Sequence, residues 1–167
     1  AKINKGFKLE NIRTTYFDYT VDVIPDDKTT PYIVMSAHPE YIIASEFKTG
    51  EDFYEDDMLY FGYLGSFYGE SALQIMQRRS KTGDQRDINV DKGASGVPYT
   101  FYCYYVDYPS GMLLSDVQMF TITTAAPEQA NIEFKMEYDI IDGVMVSTDV
   151  TVDGYAGHYY FDVLPKP

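Results

Sequence analysis

The chain has 167 residues, 45% hydrophobic and 16% aromatic, with a formal net charge of −13. That length holds the core of one domain or one and a half, and that apolar share excludes a disordered chain. The charge argues against nucleic acid and against docking on an anionic membrane, because phosphates would repel the protein rather than be neutralised by it.

The aromatic residues are 17 Tyr and 10 Phe, without Trp. Tyrosine suits half-buried strands, where the ring packs and the hydroxyl reaches water, so the composition predicts a β-rich protein. The one cysteine, Cys103, excludes an internal disulfide and leaves an export route open. No apolar run approaches the roughly 20 residues of a membrane span. The chain opens on Ala1-Lys2 without a signal-peptide pattern, and the expectation is that any targeting segment has been removed or was never there.

In chain order, the polar residues 1–6 predict a loose lead-in, and strands begin at Phe7. Phe17, Tyr19, Val21 and Val23 alternate with Asp18, Thr20 and Asp22, which is a half-buried strand. Pro25-Asp26-Asp27-Lys28 is a turn, and the unalternating Tyr32-Ile33-Val34-Met35 predicts a strand covered on both faces. Thr49 with Asp52 three residues on reads as a capping box, opening a helix whose inward stripe is Phe53, Asp57, Tyr60/Phe61, Leu64 and Phe67/Tyr68, closed by Gly69. A second helix runs from about Ser71 to Arg79, with Leu73 and Met76/Gln77 inward and Gly83 beyond.

Residues 84–95 predict a loop and a short strand around Ile88 and Val90. Tyr99 to Val106 is a strand aromatic on both faces: one face meets an opposing sheet and the helical insert covers the other. Pro109-Ser110-Gly111 is the turn into a return strand from Val117 to Ile122.

After that strand the opening pattern restarts. Phe7-Lys8-Leu9-Glu10 returns as Phe134-Lys135-Met136-Glu137, and at the same offset of 127 Asp22-Val23 meets Asp149-Val150, Asp26 meets Asp153 and Tyr32 meets Tyr159. These are seven identities in 34 ungapped pairs, where composition alone gives about two. The reading is a domain over 1–126 with a two-helix insert near 50–82, a linker at 127–131, and over 132–167 the first three strands of a second module: Ile132 to Tyr138, Val144 to Val152 and Tyr159 to Leu164. Three unpaired strands expose edges, which predicts that 132–167 packs on residues 7–126 or pairs with a neighbouring chain. Modularity itself points towards a surface or extracellular binding array.

Little in the chain points to catalysis. Glu51, Asp52, Glu55, Asp56 and Asp57 crowd a helix start, where the dipole favours acids and no ion is needed, and Asp84, Asp87 and Asp91 read as solvated loop charge. His38 and His158 stand at strand ends without zinc-ligand spacing, and Cys103 reads as a buried, inert thiol. No phosphate loop or nucleophile elbow is present, so neither enzyme nor cofactor nor metal is expected. Exposed tyrosines are natural platforms for sugars or proteins. The candidates are Tyr54, Tyr60, Tyr63 and Tyr68 around the insert and Tyr105 and Tyr108 at the late hairpin, each weighed against simple packing of helices on the sheet.

The run Pro98-Tyr99-Thr100-Phe101-Tyr102 resembles a strand signature of fibronectin type III-like domains, with Gly111 and the exit Phe120-Thr121-Ile122-Thr123-Thr124 completing the likeness. Gly96 stands where that pattern has a Leu. The resemblance implies an immunoglobulin-like (fibronectin type III-like) β-sandwich, here mainly β with a helical insert and followed by a partial second copy. It gives Tyr102 the tyrosine-corner role, its hydroxyl bonding to upstream backbone. With the insert, the chain looks like modules of surface lipoproteins of gut Bacteroidetes. That likeness implies an exported, non-catalytic binding or adhesion module at the cell surface, as part of an outer-membrane lipoprotein, with protein or glycan partners. The alternative is a carbohydrate-binding accessory module of a glycan-utilisation system.

Overall fold

Alternation sets the first sheet. In the computed structural model, which describes residues 2–91, 93–127, 132–141, 145–154 and 156, strand β1 (Phe7–Thr14) pairs antiparallel with β2 (Asp18–Pro25), and β2 with β4 (Gln85–Asp91). Tyr19, Val21 and Val23 point inward along β2 and are fully buried. The second sheet is also antiparallel, with β5 (Pro98–Tyr105) between β3 (Tyr32–Ala37) and β6 (Gln118–Thr123). The architecture is mainly β with a helical insert. The insert lies between β3 and β4: α1 (Pro39–Ala44), α2 (Gly50–Tyr68) and α3 (Ala72–Arg79).

The β3-β5-β6 sheet is covered on both faces, because β5 carries large side chains on each. Tyr99, Phe101, Cys103 and Tyr105 share one core with Phe7, Tyr19, Val21 and Val23 of the first sheet. Tyr102, Tyr104 and Val106 share a second core with Phe53 and Phe61 of α2 and Ile75 and Met76 of α3. At roughly 1.5–3 kcal/mol for each large apolar side chain taken from water, the second core is what fixes the helices to the sheet.

Both long helices start on capping boxes. The Thr49 hydroxyl accepts from the Asp52 amide and the Asp52 carboxylate from the Thr49 amide, and Ser71 and Gln74 do the same for α3. Gly69 ends α2 in the left-handed conformation at φ 67°. The α2–α3 turn also needs Gly65, since a Cβ there would strike the Glu70 carbonyl oxygen.

Four sequence expectations change. The inward stripe of α2 stops short: Phe67 and Tyr68 are both exposed, because the helix runs past its sheet-facing positions, which end at Gly65. The lead-in is tied down: the Ile3 amide donates to the Leu114 carbonyl, and the Phe7 amide to the Gln118 side chain at 2.7 Å. The insert begins at Pro39 rather than near residue 50, because α1 precedes the two expected helices. In α3 the buried pair is Ile75 and Met76, with Gln77 turned out to donate to the Tyr108 carbonyl.

The chain divides into two compact units, Ala1–Pro127 and Glu128–Pro167. In the second, β7 (Glu133–Ile141) pairs antiparallel with β8 (Met145–Asp153). From Phe134 to Glu137 its register repeats that of β1 and β2 at the 127 offset: Phe7↔Pro25 becomes Phe134↔Val152, Leu9↔Val23 becomes Met136↔Val150, and Glu10↔Asp22 becomes Glu137↔Asp149. Beyond them it differs, because β1 is bulged between Glu10 and Arg13 and β7 pairs without a shift. The expected third strand, Tyr159 to Leu164, lies outside the described residues, as does His158.

Candidate functional site

Tyr102 and Tyr104, two apart on β5, point to the same side of the sheet with their rings stacked at 6.4 Å. Buried phenols need partners, and α2 provides one: each donates to an oxygen of Asp57, both at 2.8 Å. Asp57 is 1% exposed, between Phe53 and Phe61 on the inward face of α2. Burial pushes its carboxyl up to about 7, against the opposing pull of the Tyr104 and Tyr102 hydroxyls. The same burial, with Asp57 beside them, drives both phenols far above their ordinary range.

This arrangement overturns the corner assigned to Tyr102. Its side chain is on the helix-covered face, so the hydroxyl reaches a helix carboxylate rather than upstream backbone. Tyr105, on the opposite face, bonds to backbone instead: its hydroxyl donates to the Gly6 carbonyl at 3.1 Å and accepts from the Asp27 amide at 2.9 Å.

Above Asp57 opens a cleft of about 380 Å³, bounded by the β3–α1 junction, α2 and the end of α3. Its rim carries His38, Tyr41, Asp56, Tyr60 and Arg79. The Tyr41 hydroxyl lies 2.8 and 3.0 Å from the two Asp56 oxygens, and that bond, ahead of burial, raises the phenol above its usual range. His38 caps α1, its Nδ1 accepting from the Glu40 amide at 3.1 Å. The Arg79 guanidinium stands 5.8 Å over the Tyr60 ring and makes no ion pair among the described residues.

A second feature is apolar. Leu59, Tyr63 and Phe67 recur every four residues on the outer side of α2 and are 75%, 62% and 66% exposed. The rings of Tyr63 and Phe67 meet edge to face at 4.9 Å, and Tyr68, also exposed, lies under the Arg78 guanidinium at 5.2 Å. The helix is thus apolar on two sides, one packed and one bare.

The six tyrosines proposed as binders do not share an environment, and Tyr60 is the one on the cleft rim. Tyr63 and Tyr68 are exposed on α2, and Tyr108 is exposed in the turn after β5. Tyr54 is half-buried and donates to the Gly111 carbonyl at 2.9 Å, with its ring against Tyr104. Tyr105 is fully buried and is a core residue, not a platform, because its position along β5 puts it in the layer between the sheets. Of the acidic residues, Glu51 pairs with Lys2 at 3.2 Å, Asp52 caps its helix, Asp84 pairs with Lys28 and Asp87 with Arg13. Among the described residues no group of three or more His, Cys, Asp or Glu is placed to hold a metal ion.

Tyr41 and Arg79 carry no sequence signal as site residues, Tyr41 because α1 itself is not foreseeable from the pattern. Asp57 does leave a signal, an acid on the apolar stripe between Phe53 and Phe61. Compared with known proteins, the chain matches no family model, and neither a curated protein nor a solved structure is significantly similar to it.

Proposed function

We propose that this chain is a non-catalytic binding or adhesion module of an exported bacterial surface protein, carried on a fibronectin type III-like β-sandwich with a helical insert and a partial second copy. The strand orders β1-β2-β4 and β3-β5-β6 support the sandwich, with the helices inserted between β3 and β4. The repeated register of β7 and β8 supports a second copy. Cell-surface display, as in an outer-membrane lipoprotein, rests on the resemblance of the sequence.

The observation that carries the binding role is the bare stripe Leu59, Tyr63 and Phe67. A helix apolar on two sides keeps its second side for a partner, and contiguous exposed aromatics mark such contacts. The carboxylates support a non-catalytic role. Paired acids that hydrolyse glycosides flank the bond from two sides. Here Asp56 and Asp57 are consecutive on one helix, Asp57 turned inward to two phenols and Asp56 bound to Tyr41.

Beads coated with the full chain are expected to adhere to surfaces bearing host extracellular-matrix proteins. Tyr63→Ser with Phe67→Ser, which touches neither core cluster, is expected to remove most of that adhesion while leaving circular dichroism unchanged. Equal retention of both proteins, or of neither, would overturn the assignment.

A further inference from the structure

We infer that the cleft above Asp57 binds a neutral pyranose sugar, free or as the end residue of a glycan. This goes beyond the surface-binding reading, whose contact face is the outer side of α2. At about 380 Å³ the cleft is within the roughly 300–1,000 Å³ of small-ligand pockets.

Charge selects the ligand class. The rim holds a carboxylate, Asp56, and a guanidinium, Arg79, that makes no ion pair among the described residues. A cationic ligand would be repelled by Arg79, and an anionic one by Asp56. A hydroxyl donates to a carboxylate and accepts from a guanidinium, so a neutral polyol satisfies both groups at once. Asp56 is held ready by Tyr41 and keeps lone pairs for further donors. His38 adds a donor: with Nδ1 accepting from the Glu40 amide, the neutral ring carries its proton on Nε2.

The apolar part of a sugar is its C–H face, and Tyr41 and Tyr60 offer partly exposed rings at the rim. Such rings lose little entropy when they bind. Asp57 serves as floor, with both oxygens already taken by Tyr102 and Tyr104. The hollow beside Lys2, Glu51 and Asp116 and the one beside Lys5 and Asp116 also carry both charge signs, but no aromatic side chain lines either.

The test is calorimetry and ligand-observed NMR on the full chain. The probes are glucose, galactose, mannose, N-acetylglucosamine and their short oligosaccharides, with methylammonium and acetate as charged controls. At least one neutral sugar is expected to bind with a dissociation constant on the order of 1 mM. Arg79→Met or Asp56→Asn, both at accessible side chains, is expected to weaken it about tenfold or more, each variant being checked for its native circular dichroism. Tighter binding of the oligosaccharide assigns the site to a glycan end, and equal binding assigns it to the free sugar. Absence of sugar binding, sugar binding that survives both cleft substitutions, or preference for a charged control would overturn the inference. Tyr63→Ser with Phe67→Ser is expected to leave sugar binding unchanged, so failure here and failure of adhesion are separable results.

Discussion

Asp57 ties the helical layer to the sheet at an electrostatic cost. The fold raises its carboxyl from 3.8 to about 7, burial being the main cause. The folded protein therefore takes up a proton that the unfolded chain releases. Stability from this group is complete below about pH 4 and is lost as pH rises to about 7, a swing on the order of 4 kcal/mol. Asp22 behaves in the opposite sense. The Asn11 amide first, then the Asp87 backbone and Arg86, hold its carboxyl down to about 2, so its contribution disappears only as pH falls below about 4. The two windows do not overlap, and urea unfolding followed between about pH 5 and 8 isolates Asp57. Wild-type stability is expected to climb as pH falls across that range, and Asp57→Asn to flatten the slope. A flat wild-type profile would mean that Asp57 titrates at its ordinary position.

At the scale of elements, the α2–α3 turn is the tightest place. Gly65→Ala is expected to cost on the order of 1–3 kcal/mol, because the new methyl meets the Glu70 carbonyl and the turn backbone must move. Denaturation midpoints compare the variant with Gly62→Ala, whose Cβ finds only Ala72 at 3.9 Å. A Gly65→Ala midpoint no lower than that of Gly62→Ala would relieve the turn of its glycine requirement. Elements with a strong local signature are readable in the sequence. Alternation marks β2, the two capping boxes mark α2 and α3, and the aromatic run marks β5 as covered on both faces. α1 is hidden because Ile42-Ile43 looks extended and its cap is a histidine, which has no fixed capping signature. The faces of β5 are hidden for another reason. When every position is aromatic, the period of two is visible but its phase is not, and phase alone separates Tyr102 and Tyr104 beneath the helices from Tyr105 between the sheets. The cleft is less legible than the sheets, because it joins residues from α1, α2 and α3 that no sequence pattern couples.

At the scale of the whole molecule, the second unit carries a hairpin that opens in the register of β1 and β2. In β1, Phe7 is buried; in β7, Phe134, Met136, Tyr138 and Ile140 are all exposed along one face. A two-stranded hairpin that exposes Met136, Tyr138 and Ile140 invites pairing. The full chain is expected to self-associate with rising concentration in analytical ultracentrifugation, and Met136→Lys with Tyr138→Lys to keep it monomeric. A monomer at every concentration would show that these strands need no second copy. The lone cysteine has a use on this scale. Cys103 lies on β5, the middle strand of its sheet, its thiol raised by burial and closed to reagents while the two sheets stay together. The rate at which a thiol dye reacts therefore counts global openings of unit Ala1–Pro127. The hairpin contributes no thiol of its own, so the molecule carries a built-in clock for one of its two parts.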